Sequence, residues 1–319
     1  MAKRKFRLVT RSDFDGLVCG VLLRELDLID DITFVHPKDM QDGTVPIGPR
    51  DIITNLPFVA GCHMTFDHHA SEDARVGSAG LPNYILVPDA PSASRVVYDH
   101  FGGRAGFPRV APDLLDAVDK ADMAQFAMSD ILAPTGWELL NFVMDPRTGL
   151  GRFRDFRISN YALMMRMIEE CRHLSVHELL ALPDVVERLE VYESHAGAFK
   201  AQLRRCGRVT GSLVTIDLRD EPVVHPGNRF MVYALYPECD ISLHVLRGRG
   251  GDNVSFAVGK SILNRGSSVD VGTVCLTYGG GGHPNVGTCQ AALDAAEEVK
   301  DGLIRHLSGP ARDGFDVAA

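Results

Sequence analysis

The chain contains no C-x-x-C pair. Its seven cysteines (19, 62, 171, 206, 239, 275 and 289) are scattered singly, which argues against a zinc site or a disulfide framework and for reduced, mostly buried thiols. No run approaches the ~20 apolar residues of a membrane span. The opening MAKRKFRLVT is basic but passes straight into a strand-like segment, without the apolar core and small-residue cleavage site of a signal peptide. A cytoplasmic protein away from membranes is the expectation. Positive charge is also in short supply, since 33 Lys+Arg stand against 42 Asp+Glu for a formal net charge of −9. A general duplex-DNA binder needs a broad basic face, so that class is set aside. A small anionic substrate held by a metal and a few local arginines is not. Internal repeats and low-complexity tracts are absent.

What is present suits a full globular core: 45% of the 319 residues are hydrophobic and 24% charged, and the length suits roughly two domains. Phe6-Arg7-Leu8-Val9-Thr10 reads as a strand, then RSDFDG as a turn and LVCGVLLREL as a helix. ITFVHP (32–37), DIIT (51–54) and HMTF (63–66) read as further short strands, and SASRVVYDHF (92–101) and APDLLDAVDKA (111–121) as mixed or helical stretches. Short apolar strands alternating with helices predict an α/β fold, a parallel sheet with helices on both faces. Residues 158–206 read as a helical connector. From 207 onward RVTGSLVTIDL, DISLHVLRG and NVSFAVG restart a smaller α+β domain, with a helix after His225-Pro226-Gly227, a Gly-rich turn at 279–282 and a last helix near 291–307. The expected division is 1–157, 158–206 and 207–319.

Ligands of open α/β sheets bind beyond the carboxyl ends of the strands, where two acidic clusters fall. Asp13 and Asp15 flank one residue before a glycine, and carboxylates so close repel unless a cation or proton lies between them. The plainer reading is an Asx turn capping the next helix. Asp67, His68 and His69 stand at a second strand end, and mixed carboxylate and imidazole donors suit manganese, iron or zinc. VDKADMAQF adds Asp119 and Asp122, which read equally as solvated helix-end charges. In TYGGGGHPNVGT (277–288), four glycines before His283 let backbone amides approach an anion, and a following helix would add its dipole. MDPRTGLGRFRDFR (144–157) interleaves Arg147, Arg152, Arg154 and Arg157 with Phe153 and Phe156, which suits phosphate contact and base stacking, or a surface loop of ion pairs. His36, Lys38 and Asp39 form another loop at a strand end.

SDFDG, FDHHAS and GGGGHPNVG, in that order, resemble the DHH phosphoesterases with a C-terminal DHHA1 domain, over roughly residues 5–305. Ser-Ala-Ser-Arg (92–95) resembles the Ser-rich helix start that follows the DHH strand. The family includes single-strand exonucleases, nano-RNA and phosphoadenosine-phosphate phosphatases, cyclic-dinucleotide phosphodiesterases and exopolyphosphatases. The resemblance implies a metal-dependent hydrolase with two ions, usually manganese, that activate water for in-line attack on a phosphate. By the same resemblance, His68 is a metal ligand, His69 a substrate-side residue, Asp67 a supporting group, Asp122 the fourth-motif ligand with Asp119 as fallback, and Gly279 to His283 (Gly280, Gly281 and Gly282 among them) the motif that receives substrate.

Some positions depart from the family pattern. Arg11 stands where the first motif has histidine, and Asn55 where a metal-bridging aspartate is expected. Val286-Gly287-Thr288 replaces the usual Ala-Ala-Gly, and Ala257 replaces an arginine. Arginine cannot ligate a metal. The expectation is therefore a single Mn2+ or Mg2+ at Asp15, His68 and Asp122 with Asn55 offering its carbonyl. Arg11, paired with Asp13, would supply positive charge to a substrate phosphate. The substrate would be small and linear: polyphosphate, a nucleotide or a short oligonucleotide. A second reading is a degenerate nucleotide- or anion-binding protein without efficient hydrolysis. A homodimer is the candidate assembly.

Overall fold

The computed structural model describes residues 5–69, 72, 76, 81–248 and 250–308. Ala70 and Ser71 of the FDHHAS motif, and the final stretch of the expected C-terminal domain, lie outside them. The chain divides into two compact units, one drawn from Met1–Gln125 and Pro134–Val191, the other from Phe126–Ala133 and Tyr192–Ala319.

The first unit is built on β1 (Phe6–Thr10), β2 (Ile29–Phe34), β3 (Asp51–Thr54), β4 (Met64–Asp67) and β5 (Tyr84–Leu86), in the order β2-β1-β3-β4-β5. All four pairings are parallel. Successive side chains of a strand point to opposite faces, and here both faces are buried. Leu8, Ile52 and Phe66 enter one apolar cluster, while Val9, Ile53 and Tyr84 enter another. That is why these strands read as continuous apolar runs rather than alternating ones. Helix α1 (Phe14–Glu25) is buried from Phe14 to Leu23, so its sequence shows no polar stripe over that length. Helices α2 (Ala93–His100), α3 (Pro112–Asp122), α4 (Gly136–Met144) and α5 (Asn160–Glu170) follow.

The second unit carries β6 (Gly207–Thr210), β7 (Leu213–Asp217), β8 (Ile241–Arg247), β9 (Asn253–Lys260), β10 (Gly281–His283) and β11 (Val286–Ala292). Their order is β10-β11-β9-β8-β7-β6, with β7 and β8 parallel and the other pairs antiparallel. One face is apolar, as alternation predicts: Val254, Phe256 and Val258 of β9 pack with Val271, Cys275, Leu303 and Leu307. Those residues come from helices α6 (Val271–Thr277) and α7 (Ala296–Leu307).

The α/β class with a smaller α+β part is as expected, and three local readings need correction. β2 begins at Ile29, ahead of the apolar run at 32–37, because its exposed Asp30 and Asp31 hide the start. β5 has three residues, too short to show a period. The glycine-rich turn continues into strand β10, and the stretch from 286 is β11, so the last helix starts only at Ala296.

Candidate metal centre

The order β2-β1-β3-β4-β5 puts the topological switch point between β1 and β3, the position where open α/β sheets receive ligands. Arg11 follows β1 and Asn55 follows β3. The ends are tied together by Thr54, whose hydroxyl donates to Thr10 Oγ1 at 2.8 Å in a fully buried pair.

Asp15 lies in the first turn of α1 and is 2% exposed. Its carboxylate accepts from the backbone amides of Ala93 (3.0 Å) and Ser94 (2.8 Å) and from the Ser94 hydroxyl (2.5 Å). Those amides are free to donate because they open α2, whose own cap is Ser92. His68 follows β4 and sets its Nδ1 3.1 Å from the carbonyl of Ala90. With Nδ1–H donating to that carbonyl, Nε2 is the ring atom left to face a metal once its own proton is given up. Nε2 is buried and has no hydrogen-bond partner among the described residues. Asp122 Oδ2 lies 3.1 Å from it, out of line for a hydrogen bond. One ligand atom from each of Asp15, His68 and Asp122 falls within 4.8 Å of the others. Two carboxylates and an imidazole fit a borderline divalent ion, and the partnerless Nε2 is what such an ion would satisfy.

The electrostatics agree. Burial, reinforced by the charge of Asp122 and opposed by His68, lifts the Asp15 carboxyl to about 7. Burial works against a charged His68 ring, but Asp122 beside it, with Asp15, raises it to about 9. The cluster holds protons tightly where a divalent cation would displace them.

Asp67, 0% exposed, accepts through Oδ1 from the His68 amide (2.9 Å) and from His69 Nδ1 (2.7 Å). Its Oδ2 is buried with no partner among the described residues. Burial lowers the His69 pKa, and Asp67 outweighs it, so the ring stays above its ordinary value.

Asp13 is held by a different set of partners. It caps α1 by accepting from Gly16 N at 3.0 Å. The same oxygen accepts from Asn55 Nδ2 at 3.2 Å, and the other lies 3.0 Å from Arg11 Nε. Asn55 sits in left-handed backbone (φ 54°), which asparagine tolerates, and turns its amide nitrogen toward Asp13. Burial pushes the Asp13 carboxyl up, with Arg11 opposing. Gly16 has no alternative residue, because a Cβ there would stand 2.0 Å from Arg11 O.

Asp119 is occupied elsewhere. It accepts from Ser92 Oγ (2.6 Å) and from Arg95 Nε and Nη2 (2.8 and 2.5 Å). The structure thus brings Asp122, and not Asp119, to His68. Phe156 lies under the Arg188 guanidinium, 4.1 Å from its carbon, while Arg157 donates to Glu187 through its backbone. Arg147 of that stretch lies within electrostatic reach of Asp13 and Asp122.

In the second unit the glycine run divides by task. A Cβ on Gly280 would meet Thr288 O at 2.0 Å, and one on Gly282 (φ 156°) would meet Val286 O at 2.2 Å, so both are required by the β10–β11 pairing. A Cβ on Gly281 would meet nothing within 4 Å. His283 ends β10, and a strand rather than a helix follows the run, so the helix dipole expected there is absent.

No signal in the side-chain pattern could have revealed Ala90, which acts through its carbonyl.

No family model matches the chain, and no curated protein does. Among solved structures it is 54% identical to PggH, a pGpG-specific phosphodiesterase from Vibrio cholerae, over 95% of this chain and 99% of that one, with a TM-score of 0.81. RecJ from Thermus thermophilus in complex with Mn2+ is 15% identical over 97% of this chain and 53% of that one, at a TM-score of 0.51. A DHH domain from the s1p family of ribosomal proteins is 14% identical over 97% of this chain and 88% of that one, at a TM-score of 0.56. These two share the fold. With the near-full-length relative, they make the chain a member of the DHH family of phosphoesterases.

Proposed function

We propose that the protein is a metal-dependent phosphodiesterase of small linear nucleotides, with pGpG as its substrate and one Mn2+ or Mg2+ held by Asp15, His68 and Asp122. The observation that carries this reading is the His68 ring, fixed by Ala90 so that a partnerless Nε2 faces the carboxylates of Asp15 and Asp122. The 54% identity to a pGpG-specific enzyme supports the substrate.

The overall change adds water across the P–O3′ bond of pGpG. The water oxygen joins phosphorus, the 3′ oxygen leaves with the bonding pair and takes up a proton, and two guanosine monophosphates result. A bound cation would polarise the phosphate and lower the pKa of the attacking water. The chain's residues hold the geometry. The opening amides of α2 fix Asp15, and Asp67 fixes His69, whose raised pKa keeps a proton available on the substrate side. Arg11, moored on Asp13, takes over part of the positive charge that a second ion would bring. Gly281, like Gly279 an open position of the glycine motif, is the proposed receiver of an anion.

The test is hydrolysis of pGpG by the purified protein with Mn2+, Mg2+ or EDTA, with polyphosphate and a 3′,5′-bisphosphonucleoside as rival substrates. Guanosine monophosphate from pGpG, abolished by EDTA, is expected. Preferential release of phosphate from polyphosphate would overturn the substrate. Binding of pGpG without turnover would favour the degenerate binding protein.

A further inference from the structure

Two arginines of the first unit turn Nε toward a neighbouring aspartate, Arg147 in a hydrogen bond and Arg11 in an ion pair. Arg11 approaches Asp13 through Nε at 3.0 Å. Arg147 approaches Asp145 through Nε at 2.8 Å, and the same carboxylate oxygen accepts the Arg147 backbone amide, also at 2.8 Å. In both side chains the two terminal nitrogens make no hydrogen bond among the described residues. A guanidinium moored by Nε presents a fork of parallel donors matched to two oxygens of one phosphate.

The Arg147 fork is rigidly presented. Asp145 is 7% exposed and caps the short 3-10 turn Pro146–Thr148 at the end of α4. Thr148, 3% exposed, donates its hydroxyl to Phe142 O at 2.5 Å and so ties the turn back to that helix. The Arg147 side chain itself is 47% exposed. Burial disfavours its charge, but Asp145, Asp13 and Asp122 all favour it. Arg147 is therefore half-exposed and charged, its terminal nitrogens without a hydrogen bond among the described residues, and within the field of Asp13 and of the metal-group residue Asp122.

We infer that Arg147 is a phosphate-binding residue of this site, acting with Arg11 as a two-armed fork for the oxygens of a nucleotide phosphate. The inference rests on the proposed phosphodiesterase reading. It also has a physical motive, because the carboxylates of Asp13, Asp15 and Asp122 repel an anion unless cations offset them. Arg11 and Arg147 supply that offset without an ion, and their terminal nitrogens add direction to it.

Charge compensation and phosphate binding differ in what lysine can do. Lysine preserves the charge and loses the fork. Binding of pGpG and of inorganic phosphate would be measured calorimetrically on EDTA-stripped protein, for wild type, Arg147→Gln and Arg147→Lys. Mn2+ affinity and melting temperature would be recorded alongside. The expected result is at least a tenfold loss of pGpG affinity in Arg147→Gln, a loss within threefold of that in Arg147→Lys, and unchanged Mn2+ affinity and melting. Wild-type affinity in Arg147→Gln, full restoration by Arg147→Lys, or Mn2+ affinity falling in step with pGpG affinity would each overturn the inference. Turnover is read separately. A wild-type protein that binds phosphate through Arg147 but leaves pGpG intact would sink the substrate reading alone. One that binds neither anion would sink the inference.

Discussion

His68 Nε2 and Asp122 Oδ2 lie 3.1 Å apart without a hydrogen bond between them. As it stands they form an ion pair, and with the ring deprotonated both atoms could ligate one cation. If they hold a cation in this way, His68→Ala and Asp122→Asn each lower Mn2+ affinity and turnover by about 100-fold or more. Equilibrium dialysis with Mn2+ checks this directly, and unchanged binding in both variants would place the metal elsewhere.

Asp119 makes the contrasting prediction. Its bonds to Ser92 and Arg95 hold the start of α2, so Asp119→Asn destabilises the fold by about 1–3 kcal/mol while Mn2+ affinity changes little. Urea unfolding and Mn2+ titration of the same variant separate the two effects.

Arg11, which cannot ligate a metal, pairs with Asp13, and Asn55 turns its amide nitrogen to the same carboxylate. A titration should therefore find one tightly bound Mn2+ per chain. Two tight equivalents would show that the Asp13 carboxylate releases these partners to a second ion.

The glycine run predicts opposite outcomes at neighbouring positions. Gly282→Ala forces a Cβ against Val286 O and costs more than about 2 kcal/mol. Gly281→Ala meets no neighbour and leaves stability within about 0.5 kcal/mol, yet weakens pGpG binding if this position receives the anion. Thermal melting and pGpG titration of both variants decide the matter.

The second sheet carries an acid-labile residue. Burial lowers His244, on β8, from 6.5 to about 4. As pH falls through 6.5 the unfolded chain takes a proton that the folded one refuses. Stability is thus full above about 6.5, declines toward about 4 and is flat below. The loss is about 3 kcal/mol at most. His244→Gln should flatten this part of the pH–stability curve, and an unchanged slope would assign the acid sensitivity to other groups.

Much of the architecture was legible because both faces of the first sheet are buried, so β1 and β3 stand out as uninterrupted apolar runs. β2 was blurred by its charged opening residues, and β10 by a composition that signals a turn while β11 supplies the pairing. At the site, residue types in FDHHAS and SDFDG pointed to the right chemistry. The resemblance of ADMAQF put Asp122 ahead of Asp119, but the contacts that set the two apart were not visible in it. They depend on Ser92 and Arg95, far away in sequence, taking up Asp119.

The Arg11, Asp13 and Asn55 arrangement has a consequence for mutational history. Asn55→Asp alone would replace a donor to Asp13 with a second carboxylate beside it, leaving only Arg11 to balance both. Arg11→His alone would remove the guanidinium while Asn55 still supplies no charged ligand. Each single change passes through an intermediate with a poorly compensated carboxylate, whereas the double change would rebuild a conventional ligand set. The two positions are therefore locked to each other across the tips of β1 and β3, and a lineage that has adopted one state leaves it only by changing both.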